Sequence, residues 1–337
     1  MLLIEGGKAV SIRFLSIVLT LILFLQGCTT QTYEPIERDV PILGVVNLKE
    51  HSLSFINHIT KQPLAKWSMD EPFTKVQLLP DHDTLLLYGQ EMEHISVYKL
   101  SSGKKIADWP VTKGIAHIAL SHDNNHLLLV NEKNATISIM TLKGKIVDEI
   151  HVPPSPFSIV EDVNHKRWIV IHFKGGIISV IDQKTKKVIQ TINTFESAVS
   201  GLVVTKTNEL WVGGHGGGET MQQDVCIYSL NNGQLLEKVR TETMPIQLLQ
   251  MNDFIYVLSH GTNMLYKIEP VSKKRVRSIE IGANPFAMIK TDQEIVVASY
   301  DSSEIIYVDP TALTMKQKIK VGKGPFYLFF RPAEGKR

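Results

Sequence analysis

Seven times along this 337-residue chain a bend made by proline or a small residue is followed by an apolar residue that opens a strand. The repeats are Glu71-Pro72-Phe73, Lys113-Gly114-Ile115, Ser155-Pro156-Phe157, Ser197-Ala198-Val199, Met244-Pro245-Ile246, Asn284-Pro285-Phe286 and Gly324-Pro325-Phe326. The apolar positions are separated by 42, 42, 42, 47, 40 and 40 residues. A period near forty with no helical pattern inside it is the signature of a four-stranded propeller blade. The chain is therefore predicted to be all-β, a seven-bladed β-propeller.

One unit shows how the pattern reads. Residues 115–120 form strand one, 126–130 strand two, 136–140 strand three and 146–152 strand four. Strand two, His126-Leu127-Leu128-Leu129-Val130, is nearly all apolar, as expected of a strand covered on both faces by neighbouring blades. Strands three and four alternate more, as expected nearer solvent. The ends of the chain supply incomplete units. Pro41-Ile42-Leu43-Gly44-Val45-Val46 matches a strand two, and Phe326-Tyr327-Leu328-Phe329-Phe330 matches a strand one. The C-terminal strand is thus expected to complete the blade that the N-terminus begins, which removes free edges inside the ring.

The N-terminal segment reads as an address. Lys8 and Arg13 precede the apolar run 14–25, which is too short for a permanent membrane span and suits a secretory signal. The run ends in Leu25-Gln26-Gly27-Cys28, which resembles the bacterial lipobox. That resemblance implies diacylglyceryl transfer to Cys28, cleavage before it, and anchoring of the protein to a bacterial membrane on its extracytoplasmic face. The organisation is then a signal peptide (1–27), a flexible polar tether (28–40), a propeller (41–332) and a tail (333–337). The second cysteine, Cys226, lies in the apolar strand Val225-Cys226-Ile227-Tyr228 and reads as a small buried hydrophobe with no partner.

Val45-Val46-Asn47, Leu129-Val130-Asn131 and the Gly-x-x-Pro joints Gly282 to Pro285 and Gly322 to Pro325 carry a resemblance to the YVTN repeat, or YncE-like, seven-bladed propellers, a WD40-like group. It covers about residues 41–332. It implies the propeller fold and an extracytoplasmic binding protein, and it is weak for any particular function. Seven-bladed lactonases and lyases of related shape use His, Glu or Asn on one face, but no motif of theirs carries over here residue by residue.

The formal charge of +2 and the lack of a basic stripe interleaved with aromatics select against nucleic acid as a partner. Candidate functional residues lie where the blades differ. Loops from strand two to three and from strand four to one share one face, called the top. At the end of strand two the blades read Asn47, Gly89, Asn131, His172, Gly214-His215, Ser259-His260 and Ser299-Tyr300. Asn131, His172, His215, His260 and Tyr300 are thus candidate ligand-binding residues. The three histidines are candidates for a divalent metal or a general base, the alternative being that each caps a loop. Gly213–Asp224, with Glu219 in it, reads as a mobile top-face loop. Lysines crowd the three-to-four hairpins on the opposite, bottom face: Lys104, Lys105, Lys143, Lys145, Lys184, Lys186, Lys187, Lys273, Lys274, Lys316 and Lys318. They protect outer edges, or rest on anionic lipid or wall polymer. The sequence thus favours a lipid-anchored propeller that binds a protein or glycan through its top face, without catalysis and without a required cofactor. The rival is a lactonase-like hydrolase or lyase that depends on the histidines, with or without a divalent metal.

Overall fold

In the computed structural model each unit folds as a four-stranded antiparallel sheet, and seven such sheets make the ring. The structure describes residues 32–218 and 220–333; the signal segment, Cys28 and Glu219 lie outside the described residues. The N-terminal unit is blade one, with the order Pro325–Arg331, Ile42–Asn47, Ser52–Asn57, Pro63–Ser68 from the axis outward. Ile42 pairs with Arg331 and Val46 with Tyr327, so both ends of the chain close one sheet. Blades two to seven follow in sequence, with first strands Lys75–Leu78, Ile115–Leu120, Pro156–Asp162, Ala198–Val204, Pro245–Met251 and Pro285–Lys290.

Burial follows the predicted order. Second strands such as Ile42–Asn47 and Glu209–Gly214 are buried along their whole length. Fourth strands such as Lys104–Pro110 alternate or face solvent. The apolar side chains gather between blades rather than in one centre. Ile169, Ile171 and Val180 of blade four pack on Leu210, Val212 and Tyr228 of blade five, and an equivalent cluster fills each of the seven joints. Trp67 and Trp211 are fully buried in these joints, away from the axis.

Two features depart from the sequence expectation. The first is register. In blades four to seven and in blade one, the apolar marker is the bulged residue after the proline or alanine, as at Phe157 between Pro156 and Ser158. In blade three the bulge falls at Ala116, and Ile115 pairs with Asn131 where the other blades place proline or alanine. Blade two follows blade three, with Lys75 opposite Tyr88. Phe73 and Ile115 are accordingly buried between blades, while Phe157, Phe286 and Phe326 are only partly covered. Side chains alternate faces along a strand, so a one-residue offset decides between core and channel.

The second departure concerns the tether. Residues 33–40 pack in the groove between blades one and two. Tyr33 stacks on Trp67 at 5.0 Å, the Trp67 indole N–H donates to Glu34 O, Ile36 is buried, and Arg38 pairs with Asp83 at 2.6 Å. Thr32 bridges to Lys104 at the three-to-four hairpin of blade two, on the bottom rim. Arg331, fully buried, binds this strap to the closure: its guanidinium donates to Glu37 O, Val40 O (2.9 Å) and His82 O. On the bottom face Lys105, Lys186, Lys273 and Lys316 are ion-paired with carboxylates.

Candidate functional site at the top of the axial channel

Three layers of side chains are set by the inner two strands of each blade, and register assigns each residue to one of them. The first layer is the last residue of strand two. Asn131 Nδ2 donates to Thr112 O, Thr112 Oγ1 and Lys113 O, and its Oδ1 accepts from Asn134 N. His172 Nδ1 donates to Pro154 O at 2.9 Å, since a carbonyl can only accept, and its Nε2 therefore accepts from Ser179 Oγ. Ser259 Oγ donates to Thr241 O, and Ser299 Oγ bonds Ala283 N and O. These buried side chains turn away from the axis and latch the preceding loop to the blade. His172 is 0% exposed, and burial pushes its imidazole below its usual range. Asn131 and His172 are thus latches, and His172 does not join the other two histidines.

Blade five lacks a latch for a steric reason. A Cβ on Gly214 would lie 2.3 Å from Ser197 O. The following loop is held by Gln222 N donating to His215 O and Met244 N donating to Gln222 O.

The second layer is the collar. It combines the residue after each latch position with the bulged residue of strand one. Phe157, Phe173, His215, His260 and Phe286 follow one another with ring centroids 5.4, 6.4, 5.4 and 5.0 Å apart. Tyr300 and Phe326 continue the arc from Phe286 at 5.2 and 5.1 Å. Lys49 lies over the Tyr300 ring at 4.4 Å and pairs with Asp301 at 3.0 Å, which steadies that end. The opposite side of the mouth, in blades two and three, is polar: Gln90 Nε2 donates to Glu132 there. Sequence comparison of strand-two ends found His215, His260 and Tyr300. It missed Phe157, Phe173, Phe286 and Phe326, although three of these were in view as period markers.

The two collar histidines differ. Asn284 uses its amide nitrogen on Asp301, so its Oδ1 accepts from His260 Nδ1–H at 2.9 Å. His260 Nε2 then faces Met244 Sδ at 3.1 Å. His215 Nδ1 is buried without a hydrogen-bond partner, and burial together with the adjacent His260 holds the ring neutral. Two imidazoles are half of a tetrahedral zinc set. Among the described residues no three His, Cys, Asp or Glu side chains are arranged to hold a metal ion.

The third layer is the channel floor. Lys75, His117, Ser158, Ser200, Gln247, Ala287 and Tyr327 pair with Tyr88, Val130, Ile171, Gly213, Leu258, Ala298 and Val46, each one residue before its latch position. They therefore form one ring around the axis, polar except at Ala287. Together with Phe157, His215, Phe286 and Phe326 of the collar, and with apolar neighbours such as Val199, Ile246 and Leu248, they line an open cavity of about 310 Å³. Several ring members stitch adjacent blades: Lys75 Nζ donates to Ala116 O at 2.8 Å, Ser158 Oγ to Val199 O, and Gln247 exchanges bonds with Met288 N and O. His117 Nδ1 accepts from Ile159 N, and burial with the Lys75 charge beside it pushes this imidazole down to about 3. Burial likewise pushes the Lys75 ammonium from 10.5 down to about 8, against the pull of Glu132.

The fold and this axial mouth define a class, the seven-bladed propellers that present a top-face pocket. Solved structures agree on the fold. Apo AztD from Citrobacter koseri superposes with a TM-score of 0.61 at 12% identity, covering 88% of this chain and 99% of that one. The Pseudomonas aeruginosa periplasmic gluconolactonase PpgL gives 0.66 at 14%, covering 87% and 99%. A functionally unknown protein from Desulfotomaculum acetoxidans gives 0.69 at 12%, covering 87% and 99%. No family model and no curated protein sequence matches the chain. Among the described residues no helix is long and apolar enough to cross a membrane.

Proposed function

We propose that this is a lipid-anchored, extracytoplasmic propeller of the YVTN-repeat group that binds a saccharide in its top axial mouth. The observation that carries the reading is the arc of seven rings, Phe157, Phe173, His215, His260, Phe286, Tyr300 and Phe326, of which Phe157, His215, Phe286 and Phe326 line the cavity above the polar ring. A sugar ring has an apolar C–H face and a polar rim, and it matches aromatic walls with convergent hydrogen-bonding groups. A cavity of about 310 Å³ lies at the low end of the ~300–1,000 Å³ of small-molecule sites, so it suits one sugar unit rather than a protein surface. Anchoring rests on Lys8, Arg13, the apolar run and Cys28. The docked strap leaves only residues 29–31 between that cysteine and Thr32 at the bottom rim, so the mouth would face away from the membrane. Titration of the mature protein with neutral monosaccharides, followed by calorimetry, tests the reading. Binding that Phe286→Ala and Tyr300→Ala both weaken supports it, and binding indifferent to both variants refutes it.

One observation favours the rival. His215 lines the mouth, and burial beside His260 favours its neutral ring, the form a general base for hydrolysis or elimination needs. The gluconolactonase among the similar folds acts on a lactone. Turnover of a sugar lactone that is lost in His215→Ala and kept in His172→Ala would establish catalysis at the collar.

A further inference from the structure

The channel floor holds a cation without a counter-charge. Lys75 Nζ has one hydrogen bond, to Ala116 O, and faces the Phe157 ring at 5.2 Å. No carboxylate of the described residues is ion-paired with it. Glu132, whose charge it feels, stands at the rim and accepts from Gln90. Burying an ammonium without an opposing charge is costly, and it persists where a ligand or a partner group completes it.

The groups around Lys75 have protons to offer and include no anionic acceptor. His117 spends Nδ1 accepting from Ile159 N, so as a neutral ring it carries its proton on Nε2. Ser200 Oγ is buried with no partner. The Tyr88 hydroxyl accepts from Ile118 N and pairs with the Tyr327 hydroxyl as its donor, which leaves the Tyr327 proton for the channel. Gln247, the ring member with an acceptor amide oxygen, has both ends occupied by Met288. A fixed positive charge among surplus donors is complementary to a carboxylate. It repels a bare metal ion, and a neutral polyol leaves the charge uncompensated.

We propose that this floor is a carboxylate subsite centred on Lys75, with Ser200, His117 and Tyr327 as its neutral donors, so that the ligand is a sugar acid. The assignment rests on the saccharide reading of the collar: the ring lies against Phe157, Phe286 and Phe326, and the carboxylate points down the axis. At neutral pH most of the Lys75 side chain is protonated, so the subsite is charged before the ligand arrives.

The test is calorimetric titration of the full mature protein at pH 7 with D-glucuronate, D-glucose and acetate as probes. Wild type is expected to bind glucuronate roughly tenfold or more above glucose, the scale of one charge-assisted pair. Lys75→Met is expected to erase that preference while leaving glucose binding in place, and Lys75→Arg to retain it. Equal affinity for the two sugars in wild type, or a preference that survives Lys75→Met, overturns the subsite. Binding of acetate and glucuronate that is lost in Lys75→Met, with no response to glucose and none to Phe286→Ala, keeps the subsite and removes the saccharide reading. Silence to all three probes overturns both. Thermal unfolding of each variant separates lost binding from lost folding. If Lys75→Met fails to fold, Ser200→Ala and Tyr327→Phe are expected to lower glucuronate affinity several-fold without touching glucose, and no loss in either overturns the subsite.

Discussion

Replacing Lys75 with methionine should stabilise the unliganded protein at neutral pH and lose that advantage as the pH rises. The methionine has nearly the lysine stem's volume but no charge. The folded state holds the ammonium at about 8 against 10.5 when exposed. By linkage this difference costs the folded wild type about 3 kcal/mol at pH 7. The sign follows from proton counts. Below pH 8 both states are protonated and the full cost is present. Between pH 8 and 10.5 the folded lysine releases its proton while the unfolded one keeps it, so wild-type stability climbs with pH. At pH 10 under ~1 kcal/mol of the cost remains. Removing the bond to Ala116 O and adding a methionine contribute a constant that does not titrate. The difference in unfolding free energy, variant minus wild type, should therefore fall by about 2–3 kcal/mol from pH 7 to pH 10. Urea unfolding of both proteins at the two pH values measures it. A difference that stays flat with pH would refute the claim that Lys75 is an uncompensated charge.

The two kinds of histidine should separate. His172→Ala removes a buried latch with two hydrogen bonds and should cost roughly 2–3 kcal/mol in urea unfolding while leaving ligand affinity intact. His215→Ala should change stability by less than about 1 kcal/mol, because its Nδ1 makes no bond, and should weaken binding at the mouth. Arg331→Ala should cost about 2–4 kcal/mol, since it frees the 32–40 strap and the closing sheet together and leaves buried carbonyls unpaired; limited proteolysis near Val40 should accelerate. Cys28→Ser should abolish incorporation of labelled fatty acid and move the protein from the membrane fraction to the soluble one, whereas a sample that stays membrane-bound would remove the lipid anchor from the account.

What the chain determined by itself is the architecture. Each blade is built from four strands adjacent in sequence, so its apolar and turn pattern is local, and the period near forty survives any error about a single residue. Even the closure was legible, because the first strands lack a strand one and the last lack their followers. The site was legible only in part, and the reason is register. His172, His215 and His260 occupy neighbouring positions in the repeat. His215 stands one residue after the latch position, which Gly214 fills, and faces the axis, while His172 occupies the latch position itself and turns into its blade. Where the bulge falls in strand one is set by packing between blades, which is why Phe157 reaches the mouth and Ile115 does not. Lys75 carried no signal in its own strand, where it and Gln77 simply alternate with Val76 and Leu78. Only closure of the ring brings it into line with His117, Ser200 and Tyr327, three residues up to 252 positions away, and deprives it of a carboxylate. Strand pairing is written in short stretches of sequence; the composition of an axial channel is a property of seven blades at once.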